Sequence, residues 1–355
     1  MPTLTIAELI TKSPDELSTY DTLIFNDFHD GKDFNETIKT GVLNPAKFIG
    51  FCNAIAACSN LNHIDLSDLS FYFLTKEQIS LLCKAISHSH LKLEIISLKN
   101  ALATKREVLH YGTIRCRISE EQAQPIINLI QHCKKLTSIN LANNSMVPIH
   151  CASPLSKIIE ALKYKSLKYL NLEDCDLGVS DFLIETFCDT VQTLLSLECL
   201  NLSENFLGCN YLSSSLKQKV FNSLVCCKQL QMLDISGNFF LPILEGLDLM
   251  DDQTFQSLTT MLIECVFLEK LIVLSSHRYP DNDDFFKSCK KEELLNDEIV
   301  NLRMQEQKKK DKTTLLCFQY GDKPLLPVDE LRREVLKWIS RPTTLRLFGR
   351  SLTFP

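Results

Sequence analysis

Four copies of one phrase place the strongest constraint on what this chain can fold into. The copies LTSINLANNSM, LKYLNLEDCDL, LECLNLSENFL and LQMLDISGNFF start at Leu136, Leu167, Leu197 and Leu230. Each fits the pattern L-x-x-L-x-L-x-x-N/C-x-L, in which every unit adds one strand to a parallel sheet. A single unit cannot bury its apolar side alone, so units of this kind must stack on one another. The phrase therefore predicts an α/β solenoid.

Weaker copies extend the array in both directions. They start at Leu61 (LNHIDLSDLSF), Leu93 (LEIISLKNALA) and Leu268 (LEKLIVLSSHR), and they keep the strand leucines but lose the asparagine. Successive starts lie 30 to 43 residues apart, which leaves room for a helix between successive strands. We therefore predict about seven units between residues 61 and 275.

Helix start signals fall between the predicted strands. Thr75 and Gln78 form a capping box, and Ser153 with Pro154 supplies an N-cap followed by a first-turn proline. Residues 44 to 58 also have a helical pattern, ahead of the first copy. Each predicted unit is thus a strand, a loop and a helix.

The two ends depart from the pattern. Residues 1–60 are assigned to an N-terminal cap, in which YDTLIFNDF contains a degenerate strand, and residues 276–355 to a C-terminal helical cap or extension. Within the latter, residues 290–312 read as a charged helix and residues 328–340 as a short amphipathic helix. That last helix either covers the final strand or docks into a groove of a partner.

Charge and cysteine content limit the class of partner and the compartment. A net charge of -6 and a pI near 5.8 argue against nucleic acid as the partner. Four of the fifteen cysteines recur in C-x-x-L ahead of a repeat leucine, which is typical of small buried residues rather than disulfides. No segment has the pattern of a secretory signal or of a membrane span. We expect a monomeric, cytosolic protein without membrane insertion.

The alternation of strand and long helix, the phrase LxxLxLxxN and the preceding C-x-x-L resemble the ribonuclease-inhibitor-like class of leucine-rich repeat proteins. The resemblance covers residues 44 to 275. It implies a horseshoe with a concave parallel β-sheet and convex α-helices, capped at both ends. The class includes intracellular inhibitors, innate-immune sensor domains, a Ran GTPase activator and type IV secretion effectors. In its irregular spacing and single array, this chain is most similar to the bacterial effectors.

One repeat position is predicted to be structural. The loop position of the four clean copies holds Asn144, Cys175, Asn205 and Asn238. An inward side chain at a tight turn must pair the backbone groups that the strand no longer satisfies, and an asparagine amide can both donate and accept. The C-x-x-L also resembles the cysteine-containing repeats of F-box proteins, but this chain departs from them because only Cys175 places a cysteine at the loop position.

The side chains between the buried leucines are candidates for partner binding, because alternate strand residues face opposite sides of a sheet. The larger groups on this face are Tyr169 and Met232, and beside them lies a polar column with Asn171, Asn201 and Asp234. Tyrosine is enriched at protein interfaces. The alternative is that the column is structural, as in many members of the class.

An insertion offers a second candidate surface. Residues 99–118 form a longer connection than the others and carry the partner-binding candidates Lys105, Arg106, Tyr111, Arg115 and Arg117. A basic, aromatic-bearing insertion suits an acidic partner or a phosphate group, since insertions in repeats tend to lie on one binding face. The alternative is a solvated surface loop.

The sequence contains no motif for an enzyme. It lacks a P-loop, a nucleophile elbow, C-x-x-C and H-E-x-x-H, so no catalytic residue, cofactor or metal is expected. We interpret the chain as a non-enzymatic protein-interaction module, specifically an effector that binds a host protein and reaches the host cytosol without a classical signal peptide. The alternative is an intracellular regulator, either an adaptor or a GTPase activator with Arg106 or Arg115 as a finger.

Overall fold

The computed structural model describes residues 9, 11–24, 45–89, 91–103, 107–109, 112–114, 117–145, 153–208, 212–238, 252–265, 267–268, 270–273, 314–318, 343–347 and 350–353. The α-helices within these residues are α1 (Pro14–Leu17), α2 (Pro45–Ala57), α3 (Lys76–Ser87), α4 (Glu120–His132), α5 (Pro154–Glu160), α6 (Asp181–Val191), α7 (Ser214–Leu224) and α8 (Asp252–Glu264). Short 3-10 turns cover Phe71–Phe73 and Leu177–Val179.

The strands follow the helices in alternation. They are β1 (Thr22–Ile24), β2 (His63–Asp65), β3 (Ile95–Ser97), β4 (Glu107–Leu109), β5 (Gly112–Ile114), β6 (Ser138–Asn140), β7 (Tyr169–Asn171), β8 (Cys199–Asn201), β9 (Met232–Asp234), β10 (Lys270–Val273), β11 (Thr314–Phe318), β12 (Thr343–Leu347) and β13 (Arg350–Thr353). All except β4 and β5 belong to one sheet, in the order β1-β2-β3-β6-β7-β8-β9-β10-β11-β12-β13.

The repeat phrase sets the register of this sheet. Each of the seven predicted units begins its strand two residues after the first leucine, and the seven strands from β2 to β10 pair in parallel with equivalent positions opposite one another. Consecutive helices from α2 to α8 pack side by side on the other layer. The predicted α/β leucine-rich repeat solenoid, with a parallel sheet and a helical layer, is confirmed.

Local signals explain where the helices begin. Thr75 accepts a hydrogen bond from the backbone N–H of Gln78 at 3.2 Å, and the Gln78 amide oxygen accepts one from the N–H of Thr75 at 2.8 Å. Ser119 and Gln122 form the same reciprocal pair at the start of α4, and Ser153 caps α5. Such caps satisfy donors that the first helical turn leaves unpaired.

The core lies between the sheet and the helices. The central residue of each strand in β2, β3 and β6 to β9 is at most 1% exposed; these residues are Ile64, Ile96, Ile139, Leu170, Leu200 and Leu233. Burying one such side chain contributes about 1.5–3 kcal/mol. The helices bury their facing stripes against them, for example Ile79, Leu82 and Ile86 of α3.

A column of cysteines lies where the helices turn back into the strands. Cys58, Cys133, Cys227 and Cys265 are fully buried, and the thiols of Cys58 and Cys227 donate to the carbonyls of Ala54 and Val191 at 3.4 and 3.5 Å. Burial raises the pKa of these four thiols to about 11 or 12. These four are among ten described cysteines that are free.

The sheet extends into both terminal regions. Strand β1 pairs in parallel with β2 from within residues 1–60. At the other end, β11 and β12 continue the parallel order from within residues 276–355, and β13 pairs antiparallel with β12. The helices predicted at 290–312 and 328–340 lie outside the described residues.

Candidate protein-binding face

The solvent side of strands β7, β8 and β9 brings the predicted partner-binding residues together in two rows. One row pairs Tyr169 with Cys199 and Cys199 with Met232. The other pairs Asn171 with Asn201 and Asn201 with Asp234 in the same ladders. Apart from Asn171, which is buried, these side chains are partly exposed. The three strands therefore present one continuous patch, which we call the sheet face.

The polar row also closes the end of each strand. In the five units that hold Asp or Asn at this position, its side-chain oxygen accepts a hydrogen bond from the backbone N–H two residues later, as Asn171 does from Glu173 and Asn201 from Ser203, both at 2.9 Å. The same contact occurs at Asp65, Asn140 and Asp234. Part of the hydrogen-bonding capacity of this row is thus used within the chain.

Tyr169 is the largest side chain on the sheet face. Burial raises the pKa of its phenol, while a hydrogen bond with Asn171 acts in the opposite direction. The groups around it are Asn171, Cys199 and Glu173, and the Glu173 carboxylate accepts a hydrogen bond of 3.4 Å from the amide of Asn201. The ring is thus partly buried beside the polar row.

Next to this face, the asparagine positions form a buried ladder. The Asn205 amide oxygen accepts from the N–H groups of Cys175 and Leu177, at 3.0 and 3.2 Å. Its amide nitrogen donates to the carbonyls of Leu172 and Leu202, at 2.7 and 3.0 Å. Each such amide joins its own repeat to the one before it, so the ladder fixes the spacing of the strands.

The other ladder positions make related contacts. Asn238 accepts from the N–H of Asn205 at 3.0 Å, and Asn144 accepts from the N–H of Leu102 at 2.8 Å. At Cys175 the thiol donates to the carbonyl of Leu141 at 3.1 Å. A thiol offers one weak donor where an amide offers two donors and an acceptor, so this repeat has fewer contacts at the ladder position.

The residue before each ladder position has a left-handed backbone. These residues are Asp68, Asn100, Asn143, Asp174, Glu204 and Gly237, with φ between 53° and 65°. This region is costly for most L-residues but tolerated by glycine, asparagine and aspartate, so the type of residue found there was a signal that our sequence analysis did not use. The turn it creates defines what we call the carboxyl edge, the set of loops that follow the strands.

The carboxyl edge is acidic. Residues 65–70, 97–101, 140–145, 171–177, 201–208 and 234–238 contain seven carboxylates and one lysine. Three of the carboxylates, Glu173, Asp174 and Asp176, belong to one repeat, directly beside Tyr169. Glu173 was not predicted as a site residue, although the alternation that identified Tyr169 also places Glu173 on this side of the sheet.

The insertion contains a separate two-stranded sheet. Strands β4 and β5 pair antiparallel, and a further bridge joins Ala103 to Arg117. Arg117 is exposed, whereas Lys105, Arg106, Tyr111 and Arg115 lie outside the described residues. The backbone of the insertion is thus a hairpin between β3 and α4, and it does not share strands with the sheet face.

Two kinds of site are missing from the part of the chain that the structure describes. No group of His, Cys, Asp and Glu side chains there could hold a metal ion. Among the same residues, no helix has the length and apolar character that crossing a membrane requires.

No protein-family model matches the chain, and no curated protein sequence matches it. Among solved structures, it is similar to the leucine-rich repeat-containing protein LegL7 from Legionella pneumophila, with 15% identity and a TM-score of 0.41 over 77% of this chain and 82% of that one. It is also similar to the tropomodulin C-terminal domain of Caenorhabditis elegans, with 17% identity and a TM-score of 0.35 over 51% of this chain and 92% of that one. The repeated phrase, the parallel strands it sets and the buried ladder show that the chain has a leucine-rich repeat fold.

Proposed function

We propose that the chain is a non-enzymatic protein-interaction module whose partner binds the sheet face. The observation that carries this proposal is the placement of Tyr169, Asn201 and Met232 on three consecutive strands, with their solvent sides accessible. Tyrosine and methionine are enriched at protein interfaces, where they supply large apolar contact area. The strands beneath are fixed by the buried ladder, so little reordering accompanies binding.

The neighbouring charges favour a partner surface that carries cations. Asp234 lies in the polar row of the sheet face, and Glu173 lies at its carboxyl edge. Complementary charge steers association and selects among partners more than it adds affinity. A partner would therefore place an apolar group against Tyr169 and Met232 and a Lys or Arg side chain toward Glu173.

The hairpin of the insertion is proposed as a second contact. Its sequence carries Lys105, Arg106, Arg115 and Arg117 in an otherwise acidic protein, which suits an acidic segment or a phosphate group on the partner. The same partner could use both surfaces, since each contact would add to the effective concentration at the other.

The finer proposal is that the partner is a host protein and the chain a bacterial effector delivered to the host cytosol. Its support is the resemblance of the sequence to the effectors among ribonuclease-inhibitor-like repeat proteins. A reporter fused to the full chain and expressed in a bacterium with a type IV secretion system tests it directly. Entry of the reporter into infected host cells supports the effector role, and retention in the bacterium contradicts it.

Affinity capture from eukaryotic cell lysate tests the interaction surface. The wild type is compared with Tyr169→Ala/Met232→Ala, with a variant in which Lys105, Arg106, Arg115 and Arg117 are changed to Glu, and with Phe182→Ala as a control. Phe182 is 52% exposed on helix α6, away from both surfaces.

A partner retained by the control and lost by the sheet-face variant supports the proposal. Loss only in the hairpin variant moves the site to the insertion. Retention by both variants overturns the proposed surfaces, and acceleration of GTP hydrolysis by a small GTPase overturns the non-enzymatic function.

A further inference from the structure

The turns that lead from the helices into the strands form the opposite edge of the sheet, which we call the amino edge. Its central part consists of residues 88–94, 133–137, 161–168 and 192–198, which precede β3, β6, β7 and β8. Because these four strands are consecutive in one parallel sheet, their entry turns lie in a row. With strands about 4.8 Å apart, the row is about 15 Å long.

This row combines positive charge with exposed apolar side chains. The four segments contain six lysines and two glutamates, without any Arg or Asp. Leu91 is 60% exposed, Tyr164 83% and Leu195 63%, and each comes from a different turn. Lys134 and Lys135, on the turn between those of Leu91 and Tyr164, are exposed and make no ion pair with any described residue.

Tyr164 is held in its exposed position at an energetic cost. Its φ of 64° lies in the left-handed region, which costs roughly 1–2 kcal/mol for a residue with a side chain. Its N–H donates to the hydroxyl of Thr193 on the next turn at 3.0 Å. Three residues before the repeat leucine, the two neighbouring units have Cys133 and Leu194, which are buried, whereas the tyrosine points outward. Backbone strain of this kind is retained at functional sites more often than elsewhere.

Other lysines of the row are held in place by contacts within the chain. Lys165 donates to the carbonyls of Gln131 and Cys133 at 2.8 and 3.1 Å. Lys168 pairs with Glu198 at 2.8 Å. Lys163 pairs with Glu160, just before the third segment, at 3.1 Å. With Glu160 counted beside Glu94 and Glu198, the six lysines still leave the row a net positive charge, in a protein whose total is -6.

The composition of the row favours a lipid surface over a protein or a nucleic acid. Lysine is depleted and arginine enriched at protein interfaces, but every cation in the four segments is a lysine. Nucleic-acid sites are usually arginine-containing basic surfaces on proteins of basic charge. Lysines interleaved with leucine and tyrosine are typical of surfaces that lie in a bilayer interface, where the ammonium groups meet anionic headgroups and the apolar groups enter the acyl boundary.

We propose that the amino edge, through Lys134, Lys135, Leu91, Tyr164 and Leu195, binds peripherally to the surface of a bilayer rich in anionic lipid. The binding is superficial and does not involve a membrane-spanning helix. It goes beyond the proposed function and uses a different surface, so the sheet face remains accessible to a protein partner while the amino edge contacts lipid.

Vesicle flotation with the full chain tests this proposal. Wild type is mixed with phosphatidylcholine vesicles, either pure or with about a third of phosphatidylserine, a composition that gives a negative surface potential. We expect flotation only with phosphatidylserine, and less of it as salt is raised, because salt screens the headgroup charge. Lys134→Glu/Lys135→Glu should lower binding about tenfold or more, and Leu91→Ser/Leu195→Ser about fivefold, through lost apolar burial.

Lys76→Glu/Lys99→Glu is the matched control. Both lysines are exposed. Lys76 begins α3 and Lys99 follows β3, so this variant changes the net charge by the same amount at the carboxyl edge instead of the amino edge. We expect it to bind as wild type does.

Three results would overturn the proposal. They are absence of wild-type flotation, equal loss in the control and in the amino-edge variant, and binding to a polyglutamate peptide without binding to vesicles. The last would assign the edge to an acidic protein. Since none of these variants alters Tyr169 or Met232, a failure here is distinguishable from a failure of the sheet-face proposal.

Discussion

The two edges of the sheet hold successive repeats together in different ways. At the carboxyl edge, buried amides such as Asn205 pair the backbone of two repeats at once, and a left-handed residue precedes each of them. At the amino edge, buried thiols such as Cys227 fill space and make single long contacts. The carboxyl edge is thus specified by hydrogen bonds and the amino edge by packing. The exposed lysines and Tyr164 lie at the amino edge.

The largest loss of stability should come from a substitution in the centre of a strand, since the strand connects the two edges. Leu200 is fully buried at the centre of β8, so Leu200→Asp places an unpaired charge in the core. We expect a loss of more than about 4 kcal/mol, enough to abolish the folded array. Circular dichroism melting measures it.

Cys199→Asp is the control, because the neighbouring side chain faces the solvent side of the same strand. A cooperative melt of Leu200→Asp that equals that of Cys199→Asp would contradict the assignment of alternate faces, and with it both edges.

One variant at each edge measures how much hydrogen bonding or packing contributes to stability there. Asn205→Ala leaves the N–H groups of Cys175 and Leu177 and several carbonyls without their partner, and we expect a loss of about 3 kcal/mol. Cys227→Ala removes one sulfur atom and should cost about 1 kcal/mol. Urea denaturation gives both values. Equal losses would show that the carboxyl edge is not the more strongly specified one.

Much of this architecture was predictable, for a physical reason. The strand leucines repeat because each must enter the same core, so their positions gave the starts of the seven repeat strands, β2, β3 and β6 to β10. The capping box at Thr75 was predictable because it depends on residues three apart. Both features are local, and local patterns are the ones that a single sequence records.

The remaining features depend on contacts between distant residues. The hairpin of residues 107–114 and the strands at 314–318 and 343–353 lack the repeat phrase, and their pairing is set by neighbours far along the chain. The exposed position of Tyr164 was also missed, because it occupies a place where the neighbouring units have buried Cys133 and Leu194. Of the candidate site, Tyr169, Asn201 and Met232 followed from alternation, while the acidity of the carboxyl edge required knowing which loops align.

Substitutions at left-handed backbone positions should change the stability in opposite directions at the two edges. Gly237 has a φ of 65°, and a Cβ there would lie 2.3 Å from the Glu204 carboxylate, which can rotate away. Gly237→Ala should therefore cost about 1 kcal/mol, mainly from the left-handed backbone. At the amino edge, Tyr164→Gly relieves the same strain and should be neutral or stabilising by about 0.5 kcal/mol, since the freer unfolded chain offsets part of the gain.

Thermal unfolding of the two variants beside wild type measures this difference. A clear loss of stability in Tyr164→Gly would mean that the tyrosine side chain packs within the protein, and this would also weaken the proposed role of the amino edge in lipid binding.

The last comparison concerns two adjacent cysteines of the amino edge. Their substitutions should affect stability least, but the reactivities of their thiols should differ strongly. Cys226 is exposed and Cys227 buried, and burial raises the pKa of Cys227 to about 12, so about one Cys227 thiol in ten thousand is ionised at pH 8. With a disulfide reagent at pH 8, Cys226→Ser should remove one fast-reacting thiol, whereas Cys227→Ser should leave the number of fast thiols unchanged. The thiolate is the reactive species, so fast labelling of Cys227 would require the turn to open. That outcome would show that the amino edge is loosely packed. Buried Cys227 and exposed Cys226 would then not differ in accessibility, although the structure places one in the core and the other on the surface.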